Sequence, residues 1–160
     1  MAEMKIAFLV IAGPDDGYLN EAKNLAKTLN IDDSVMFTGP LYGRYKLEAY
    51  IDAYVYVLPS RYEIFGNTVL EAYACCTPVI ASSVGGLSDL VVNGETGLLF
   101  EAENSEELAK NIYCLLNDSS KAAEMGLKGR KFVEENFRID TVIKKLEHVY
   151  EEIVESRKRS

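Results

Sequence analysis

The regular alternation of short apolar runs with amphipathic segments is the feature that most constrains how this sequence can fold. The apolar runs cover residues 6–12, 35–38, 54–58, 78–81 and 97–100, and most are bounded by glycine, proline or serine. Such short, bounded runs are typical of buried strands. Between them, helices are predicted at residues 45–51 and 68–75, a helical turn at 87–92, and a helix through Leu19, Ala22, Leu25, Ala26 and Leu29. Alternating strands and helices predict an α/β fold, a Rossmann-like parallel sheet of about five strands with helices on both faces.

The part of the chain that follows the fifth strand is predicted to be helical throughout. Asn104 and Glu107 have the spacing of a helix capping box, and a second helix is expected at about residues 120–135. The last helix has its charges on one face. We expect its other, apolar face to pack against the domain, with the residues Ile139, Val142, Ile143, Leu146, Val149, Tyr150 and Ile153.

Composition and charge exclude several classes of protein. The chain has 160 residues, 48% of them hydrophobic, and a formal charge of −8, which predicts one globular domain that does not bind nucleic acid. Its three cysteines, Cys75, Cys76 and Cys114, form neither a disulfide pattern nor a zinc pattern. We therefore expect reduced thiols and a cytoplasmic location.

In open α/β sheets, ligands bind outside the carboxyl ends of the strands. Here those ends are followed by polar and glycine-rich segments at residues 13–14, 39–40, 59–66 and 82–86. The informative residues of a binding site are therefore expected in these four segments.

The segment of residues 59–72 is the richest of them, because it combines two acids with a glycine and a helix start. Gly66 precedes the helix, Glu63 lies in the loop before it, and Glu71 lies in about its first turn. The free N–H groups near Asn67 and Thr68 would form an anion site suited to a phosphate. Carboxylates accept hydrogen bonds from vicinal diols, so the segment has the chemistry to bind a sugar, a diphosphate and a ribose.

Simpler interpretations of the same residues remain open at this point. Two glutamates at this spacing occur often by chance, and Glu71 could merely favour the start of a helix. Gly66, Gly85 and Gly86 could be turn glycines. The two acids could also be the catalytic pair of a glycoside hydrolase, but a helix N-terminus favours ionised carboxyls, whereas the acid catalyst must hold its proton.

The glutamates belong to a longer ordered string of motifs. They form an E-x7-E pair within Pro-Ser-x-x-Glu-x-Phe-Gly, followed by Ala-Tyr-Ala-Cys-Cys-Thr-Pro-Val-Ile, Val-Gly-Gly and Asn-Gly-Glu-Thr-Gly-Leu-Leu. Ala-Gly-Pro and Phe-Thr-Gly precede them. Over about residues 6–150, this string resembles the C-terminal, nucleotide-sugar-binding half of the retaining GT-B glycosyltransferases of the group 1, or GT4-like, family. The resemblance implies a hexosyltransferase that acts on nucleotide-sugar donors.

The resemblance also implies roles for the residues around the predicted helix start. Glu63 would be the catalytic residue and accept hydrogen bonds from hydroxyls of the donor sugar, beside the backbone N–H groups of Phe65 and Gly66. The N–H groups of Asn67 and Thr68 would bind the distal phosphate.

Further residues complete the implied donor site. Glu71 would accept the ribose diol, Thr38 and Gly39 would lie near the base, and Gly85 and Gly86 would also belong to the donor site. No metal or other cofactor is expected for transfer, because helix dipoles and basic side chains support the leaving diphosphate in this family.

Several departures from the family pattern limit what this chain is expected to do alone. The family's C-terminal half opens with a strand, followed by an arginine and a lysine that clamp the diphosphate, and this chain begins after them. The nearest basic residues are Arg44 and Arg61, at other positions, and they are interpreted as surface charge. Cys76 stands where the family usually has glycine and Tyr54 where it usually has aspartate.

The resemblance further implies that an N-terminal domain, which binds a sugar or lipid acceptor, is absent from this chain. The single histidine, His148, lies on the last helix and is interpreted as an ordinary surface or packed side chain. We therefore expect the isolated chain to be a truncated donor-binding domain, inactive alone. The full-length enzyme is expected to be cytoplasmic and could associate peripherally with a membrane.

The absent first strand has a consequence for the sheet. In the strand order 3-2-1-4-5-6 the first strand is central. Without it, the flanking strands would have to pair directly, leave a gap or borrow a strand from another chain. A homo-oligomer or a strand-swapped arrangement is therefore one of the expected possibilities.

Two functions besides transfer remain open for this chain. It could be a non-catalytic module that binds a nucleotide-sugar or a partner chain, which the absent arginine–lysine clamp favours. A nucleotide-sugar epimerase on the same fold is a second alternative, although the E-x7-E and Gly-Gly motifs favour transfer.

Overall fold

The structure, a computed structural model, describes residues 7–158 and contains five strands and seven α-helices within that range. The elements divide into two compact units, Met1–Ala49 and Tyr50–Ser160. The α/β class and the five parallel strands confirm the predicted fold class. That residues 1–160 form one domain stays a prediction.

The first unit is built on a pair of parallel strands. Strand β1 (Leu9–Ala12) is followed by helix α1 (Leu19–Thr28), a 3-10 turn and strand β2 (Val35–Gly39). The register pairs Leu9 with Val35 and Ile11 with Phe37, and it shifts after Ile11. Helix α2 (Gly43–Asp52) begins in this unit and ends in the second.

The prediction that the first strand is buried is wrong. All four residues of β1 are exposed, with Leu9, Val10 and Ile11 between 41% and 53% accessible. The physical reason is that β1 pairs with β2 alone among the strands of residues 7–158, so this sheet of two strands cannot enclose its apolar side chains. The predicted start of the strand at Ile6 lies outside the described residues.

The second unit contains a three-stranded parallel sheet and most of the helices. Its strands are β3 (Tyr56–Leu58), β4 (Val79–Ser82) and β5 (Gly97–Phe100), in the order β3-β4-β5. Helices α3 (Asn67–Ala74) and α4 (Leu87–Leu90) connect the strands. After β5 the chain is helical, as predicted, in α5 (Ser105–Asn117), α6 (Ser119–Asn136) and α7 (Ile139–Lys158).

The central strand β4 divides the core of this unit between the two faces of the sheet. Successive side chains of a strand point to opposite faces, and all four residues of β4 are buried. Val79 and Ala81 pack with the buried residues of α3 and α4, whereas Ile80 packs with Leu115 of α5 and Met125 of α6. Helices therefore cover both faces of this sheet, as the alternating pattern predicts.

The strands form two sheets instead of the single sheet that was predicted. β1 pairs with β2 in one sheet, and β3, β4 and β5 form the other. The division falls between β1 and β3, the two strands that flank the first strand in the expected six-strand order.

The start of helix α5 confirms one half of the predicted capping box. The Asn104 side chain accepts a hydrogen bond from the N–H of Glu107 at 3.1 Å. The Glu107 carboxylate, however, accepts the N–H of Glu101 at 2.8 Å instead of the N–H of Asn104. Glu107 thus connects the residue after β5 to helix α5 by a hydrogen bond. The capping-box motif alone could not indicate this contact.

The prediction that the apolar stripe of α7 packs against the domain is also wrong. Helix α7 contacts α6, but the side chains of its apolar stripe are all exposed: Ile139, Val142, Ile143, Leu146, Val149, Tyr150 and Ile153. The sequence pattern predicted the helix and its apolar face correctly, because both depend on local spacing. Burial of that face depends on a partner surface.

Helix α3 ends in a Schellman motif, which explains the backbone conformation of Cys76. The N–H of Thr77 donates to the carbonyl of Ala72 at 3.0 Å, and the N–H of Cys76 donates to the carbonyl of Tyr73 at 2.9 Å. Cys76 has a φ of +60°, in the left-handed region. The position where the family usually has glycine is thus one where glycine is the favoured residue.

Replacement of Cys76 by glycine should stabilise the protein. The left-handed conformation costs a non-glycine residue about 1–2 kcal/mol, and part of this gain is lost to the greater freedom of glycine in the unfolded chain. We expect Cys76→Gly to raise the free energy of unfolding in urea by about 1 kcal/mol. Cys75→Gly is the matched control and should be destabilising, because Cys75 has a φ of −92°. Equal signs for the two variants would contradict this account.

Two further observations bear on the sequence predictions. The three cysteines are free and each is partly buried, and burial raises the pKa of the Cys75 thiol. None of the helices within residues 7–158 is long and apolar enough to cross a membrane.

Candidate functional site

The N-terminus of α3 is the centre of the candidate site. The helix begins at Asn67, directly after Gly66, whose φ of +89° places it in the left-handed region. Gly66 is buried, and a Cβ there would approach Leu87 Cδ2 of α4 within 2.6 Å, so this turn requires glycine. The N–H of Val69 donates to the carbonyl of Gly66 at 2.9 Å. The N–H groups of Asn67 and Thr68 precede it and have no carbonyl partner inside the helix.

The loop before α3 holds Glu63 by its own backbone. One carboxylate oxygen of Glu63, Oε1, accepts the N–H groups of Ile64 at 3.1 Å and of Phe65 at 3.4 Å. The predicted sugar-binding acid and the predicted N–H donor of Phe65 are therefore adjacent and already in contact. The ring of Phe65 packs edge-on against Phe137, at 6.0 Å between the ring centroids.

Two neighbouring segments support the loop around Glu63. The N–H of Gly86 donates to the carbonyl of Glu63 at 3.2 Å. A Cβ at Gly85 would clash with that same carbonyl oxygen, and a Cβ at Gly86 would clash with the carbonyl oxygen of Ile64. The glycine pair that the sequence placed in the donor site thus acts through close backbone packing against the acid-bearing loop.

The buried Ser82 at the end of β4 holds the start of the same loop. Its hydroxyl donates to the carbonyl of Ser60 at 2.5 Å. Loops after β3 and β4 are thereby joined at the carboxyl end of the sheet, where ligands bind in such folds.

Glu71 lies one turn further into α3 than its predicted place near the first turn, since it is the fifth residue of the helix. Its carboxylate oxygen Oε2 accepts a hydrogen bond from the hydroxyl of Tyr50 at 3.0 Å. Tyr50 belongs to α2, and only 8% of its surface is exposed. Sequence reasoning missed Tyr50, because no local motif links it to Glu71 across twenty-one positions.

In the first unit, the predicted base-site residues lie at the end of β2. The Thr38 hydroxyl donates to the carbonyl of Gly39 at 2.9 Å, and Gly39 has a φ of +70°. A cleft of about 360 Å³ opens at the carboxyl ends of β1 and β2, and its lining includes Gly13, Phe37 and Gly39. Within this unit, the predicted position near the base therefore borders a concave surface.

Three further side chains behave as the surface residues that the sequence indicated. Arg44 pairs with Glu48 at 2.6 Å on α2, and Arg61 pairs with Glu103 at 2.7 Å. Both arginines are exposed, and such pairs contribute little to stability. His148 is likewise exposed, with its Nε2 at 3.3 Å from Glu152.

Comparison with known proteins decides the family. The sequence model for glycosyl transferases group 1 matches residues 3–132. The chain belongs to the group 1 glycosyltransferases. It is 34% identical, over 133 residues, to the capsular polysaccharide biosynthesis glycosyltransferase CapM of Staphylococcus aureus; the match covers 83% of this chain and 32% of CapM.

Solved structures of the family have the same fold as this glycosyltransferase chain. Sucrose-phosphate synthase from Thermosynechococcus elongatus superposes with a TM-score of 0.81 at 34% identity, covering 92% of this chain and 39% of that one. The C-terminal domain of the group 1 protein LpcC from Francisella tularensis superposes with a TM-score of 0.70 at 26% identity, covering 78% of this chain and 65% of that one.

These matches confirm that the chain corresponds to the C-terminal half of a group 1 glycosyltransferase. The chain spans about a third of the length of the curated relatives that it matches.

Proposed function

We propose that this chain is the donor-binding part of a retaining glycosyltransferase, which transfers a hexose from a nucleotide-diphosphate sugar to an acceptor. The observation that carries the proposal is the arrangement at α3. Glu63 lies in the loop before the helix, Glu71 lies in its second turn, and Asn67 and Thr68 present unpaired N–H groups between them. A helix N-terminus attracts phosphate, and the two carboxylates on either side of it can accept hydrogen bonds from hydroxyl groups.

Each group then has one role in binding. Glu63 accepts hydroxyls of the donor sugar, beside the backbone of Phe65 and Gly66. The N–H groups of Asn67 and Thr68 bind the distal phosphate, and the helix dipole favours the charge that develops on the leaving diphosphate.

The remaining parts of the donor site follow from the same proposal. Glu71 accepts the ribose diol, and Thr38 and Gly39 lie near the base. Gly85 and Gly86 fix the position of the loop that carries Glu63, because their backbones pack directly against it. Transfer needs no metal, and the acceptor binds through the part of the enzyme that lies N-terminal to this chain.

A second candidate function, a nucleotide-sugar-binding or partner-binding module without turnover, is favoured by one observation. The basic residues nearest to the family's diphosphate clamp, Arg44 and Arg61, lie at other positions in the sequence, and both are exposed and paired with glutamates. Because the chain spans about a third of its relatives, we expect the isolated chain to bind the donor weakly and to transfer nothing.

The experiment that tests the proposed function is a metal-free titration of the chain with UDP, GDP and ADP and with their glucose and mannose conjugates. We expect one nucleotide to bind and Glu71→Ala to weaken that binding about tenfold or more, because a hydrogen bond to a charged group contributes about 1.5–3 kcal/mol. Isothermal titration calorimetry or ligand-observed NMR measures the affinities.

The matched control is Glu106→Ala, which removes an exposed acid in the first turn of α5. It should leave nucleotide affinity unchanged. Equal losses in the two variants would mean that overall charge, and not Glu71, determines binding. Failure of all nine ligands to bind would contradict a donor site in this chain and favour the partner-binding module.

A further inference from the structure

We propose that Tyr50 is a positioning residue for the ribose-binding carboxylate. Its buried hydroxyl holds Glu71 in the orientation that accepts the ribose diol, and it thereby gives the site its preference for ribonucleotides over deoxyribonucleotides. This inference rests on the proposed function, in which Glu71 binds the ribose.

The contact between the two side chains is direct. The Tyr50 hydroxyl lies 3.0 Å from Oε2 of Glu71. An ionised carboxylate can only accept hydrogen bonds, so Tyr50 is the donor. The acid is partly exposed whereas the tyrosine is buried, so the hydrogen bond fixes a ligand-accessible group to an inaccessible one.

Tyr50 is itself held in place from several sides. The hydroxyl of the buried Thr77 donates to the Tyr50 carbonyl at 2.6 Å. The Tyr50 ring packs edge-on against Tyr56, at 5.3 Å between centroids. Tyr50 also belongs to the core cluster that includes Val69 and Ala72 of α3. A side chain fixed at its backbone and its ring is a rigid anchor for the acid that its hydroxyl contacts.

The hydroxyl remains a donor across the working pH range. Burial, then the neighbouring Tyr56, and then the hydrogen bond to Glu71 raise the pKa of Tyr50 above its ordinary value. The proton on the hydroxyl is therefore retained, and the contribution of Tyr50 should be the same at pH 6 and pH 9.

The hydrogen bond leaves the carboxylate able to bind a diol. Each carboxylate oxygen has two lone pairs, so Oε2 can accept both the Tyr50 hydroxyl and a ribose hydroxyl. A site built around a substrate hydroxyl discriminates strongly against the analogue that lacks it, provided that its acceptor is fixed in position. Loss of the Tyr50 hydrogen bond would remove one restraint on the Glu71 carboxylate, so its orientation would be less well defined and this discrimination would fall.

The alternative is that the hydroxyl of Tyr50 only satisfies a buried polar group. Tyr73 provides a matched control, because it is also buried and its hydroxyl lies 2.9 Å from the hydroxyl of Thr96, away from Glu71. Tyr50→Phe and Tyr73→Phe each remove one such hydrogen bond. A structural role predicts the same binding behaviour for both variants.

The test compares the affinity of the chain for the ribonucleoside diphosphate that it binds best and for its 2′-deoxy counterpart, in four proteins: wild type, Glu71→Gln, Tyr50→Phe and Tyr73→Phe. We expect wild type to prefer the ribonucleotide and Glu71→Gln to lose that preference. Tyr50→Phe should weaken ribonucleotide binding about fivefold while it changes 2′-deoxynucleotide binding less than about twofold. Tyr73→Phe should keep the wild-type ratio.

The outcomes separate the two levels of the proposal. If wild type shows no ribose preference, or binds no nucleotide, the role of Glu71 in the proposed function fails and the inference fails with it. If wild type and Glu71→Gln behave as expected but Tyr50→Phe matches Tyr73→Phe, only the positioning role of Tyr50 is overturned.

A measurement without ligand checks the geometry itself. The hydroxyl proton of Tyr50 should give a slowly exchanging, downfield NMR resonance in the wild-type protein, because it is buried and bonded to a carboxylate. In Glu71→Gln that resonance should move upfield or vanish. An unchanged resonance would overturn the inferred contact.

Discussion

Gly126→Ala is expected to destabilise the second unit by about 3 kcal/mol, the opposite of what helix propensity predicts. In an ordinary helix interior, alanine is more stable than glycine by about 1 kcal/mol. Here a Cβ at Gly126 would clash with the carbonyl oxygen of Cys76, in the Schellman motif that ends α3. Backbone atoms cannot move aside as a flexible side chain can, so α6 must shift away from α3, which costs about 1–3 kcal/mol or more.

Urea unfolding of Gly126→Ala and of Lys131→Ala would measure this effect. Lys131 lies in the same helix and is exposed, with an ion pair to Glu135 of 3.6 Å, so its replacement should change the unfolding free energy by less than about 0.5 kcal/mol. Gly129→Ala should be destabilising as well, since its Cβ would press on the ring of the fully buried Tyr73. A stabilised Gly126→Ala protein would show that α6 does not lie this close to α3.

Gly85→Ala is expected to displace the loop that carries Glu63, and to cost more stability than the backbone conformation alone explains. Gly85 has a φ of +47°, and a Cβ would clash with the carbonyl oxygen of Glu63. The strained conformation costs about 1–2 kcal/mol, and the clash adds a loss of about 1–3 kcal/mol. The total should be about 3 kcal/mol.

Gly94→Ala is the matched control for this prediction. Gly94 has a φ of +84°, but no heavy atom lies within 4 Å of the position of its Cβ. It should therefore lose only the conformational 1–2 kcal/mol. Amide NMR shifts of Ile64 and Phe65 should change in Gly85→Ala and stay constant in Gly94→Ala. Equal unfolding free energies with unchanged amides would show that Gly85 does not support the loop.

In both predictions, the glycine matters because the absence of a Cβ allows a neighbouring backbone carbonyl to pack closely against it. The family resemblance implied that Gly85 belongs to the donor site, but the sequence was equally compatible with an ordinary turn glycine. The sequence did not indicate any packing role for Gly126. A glycine within a helix is expected only to weaken the helix, and its close contact becomes visible once the neighbouring backbone is known.

The larger part of the secondary structure could be predicted from sequence. The five strands and the helices from α1 to α7 follow from apolar spacing and turn residues, which are local properties. The candidate site was predictable to the same extent. Glu63, Gly66 and Glu71 lie within nine positions of one another, so the strand–loop–helix pattern brings them to one end of one helix.

Tertiary structure decided the features that depend on contacts between distant parts of the chain. Whether β1 and the apolar stripe of α7 are buried depends on partner surfaces, and the structure leaves both exposed. The division of the strands into two sheets depends on which strands can pair. The hydrogen bond from Tyr50 to Glu71 joins two helices that are separated along the chain.

The sequence alone therefore determined the α/β class, the family and the acids at the start of α3, because each is encoded by residues close together in the chain. Only the tertiary structure identified Tyr50 as the partner of Glu71 and the glycines as the supports of the Glu63 loop and of α3. The physical reason is that burial, close backbone approach and long-range hydrogen bonds arise from packing between elements, and packing has no signature within a single segment.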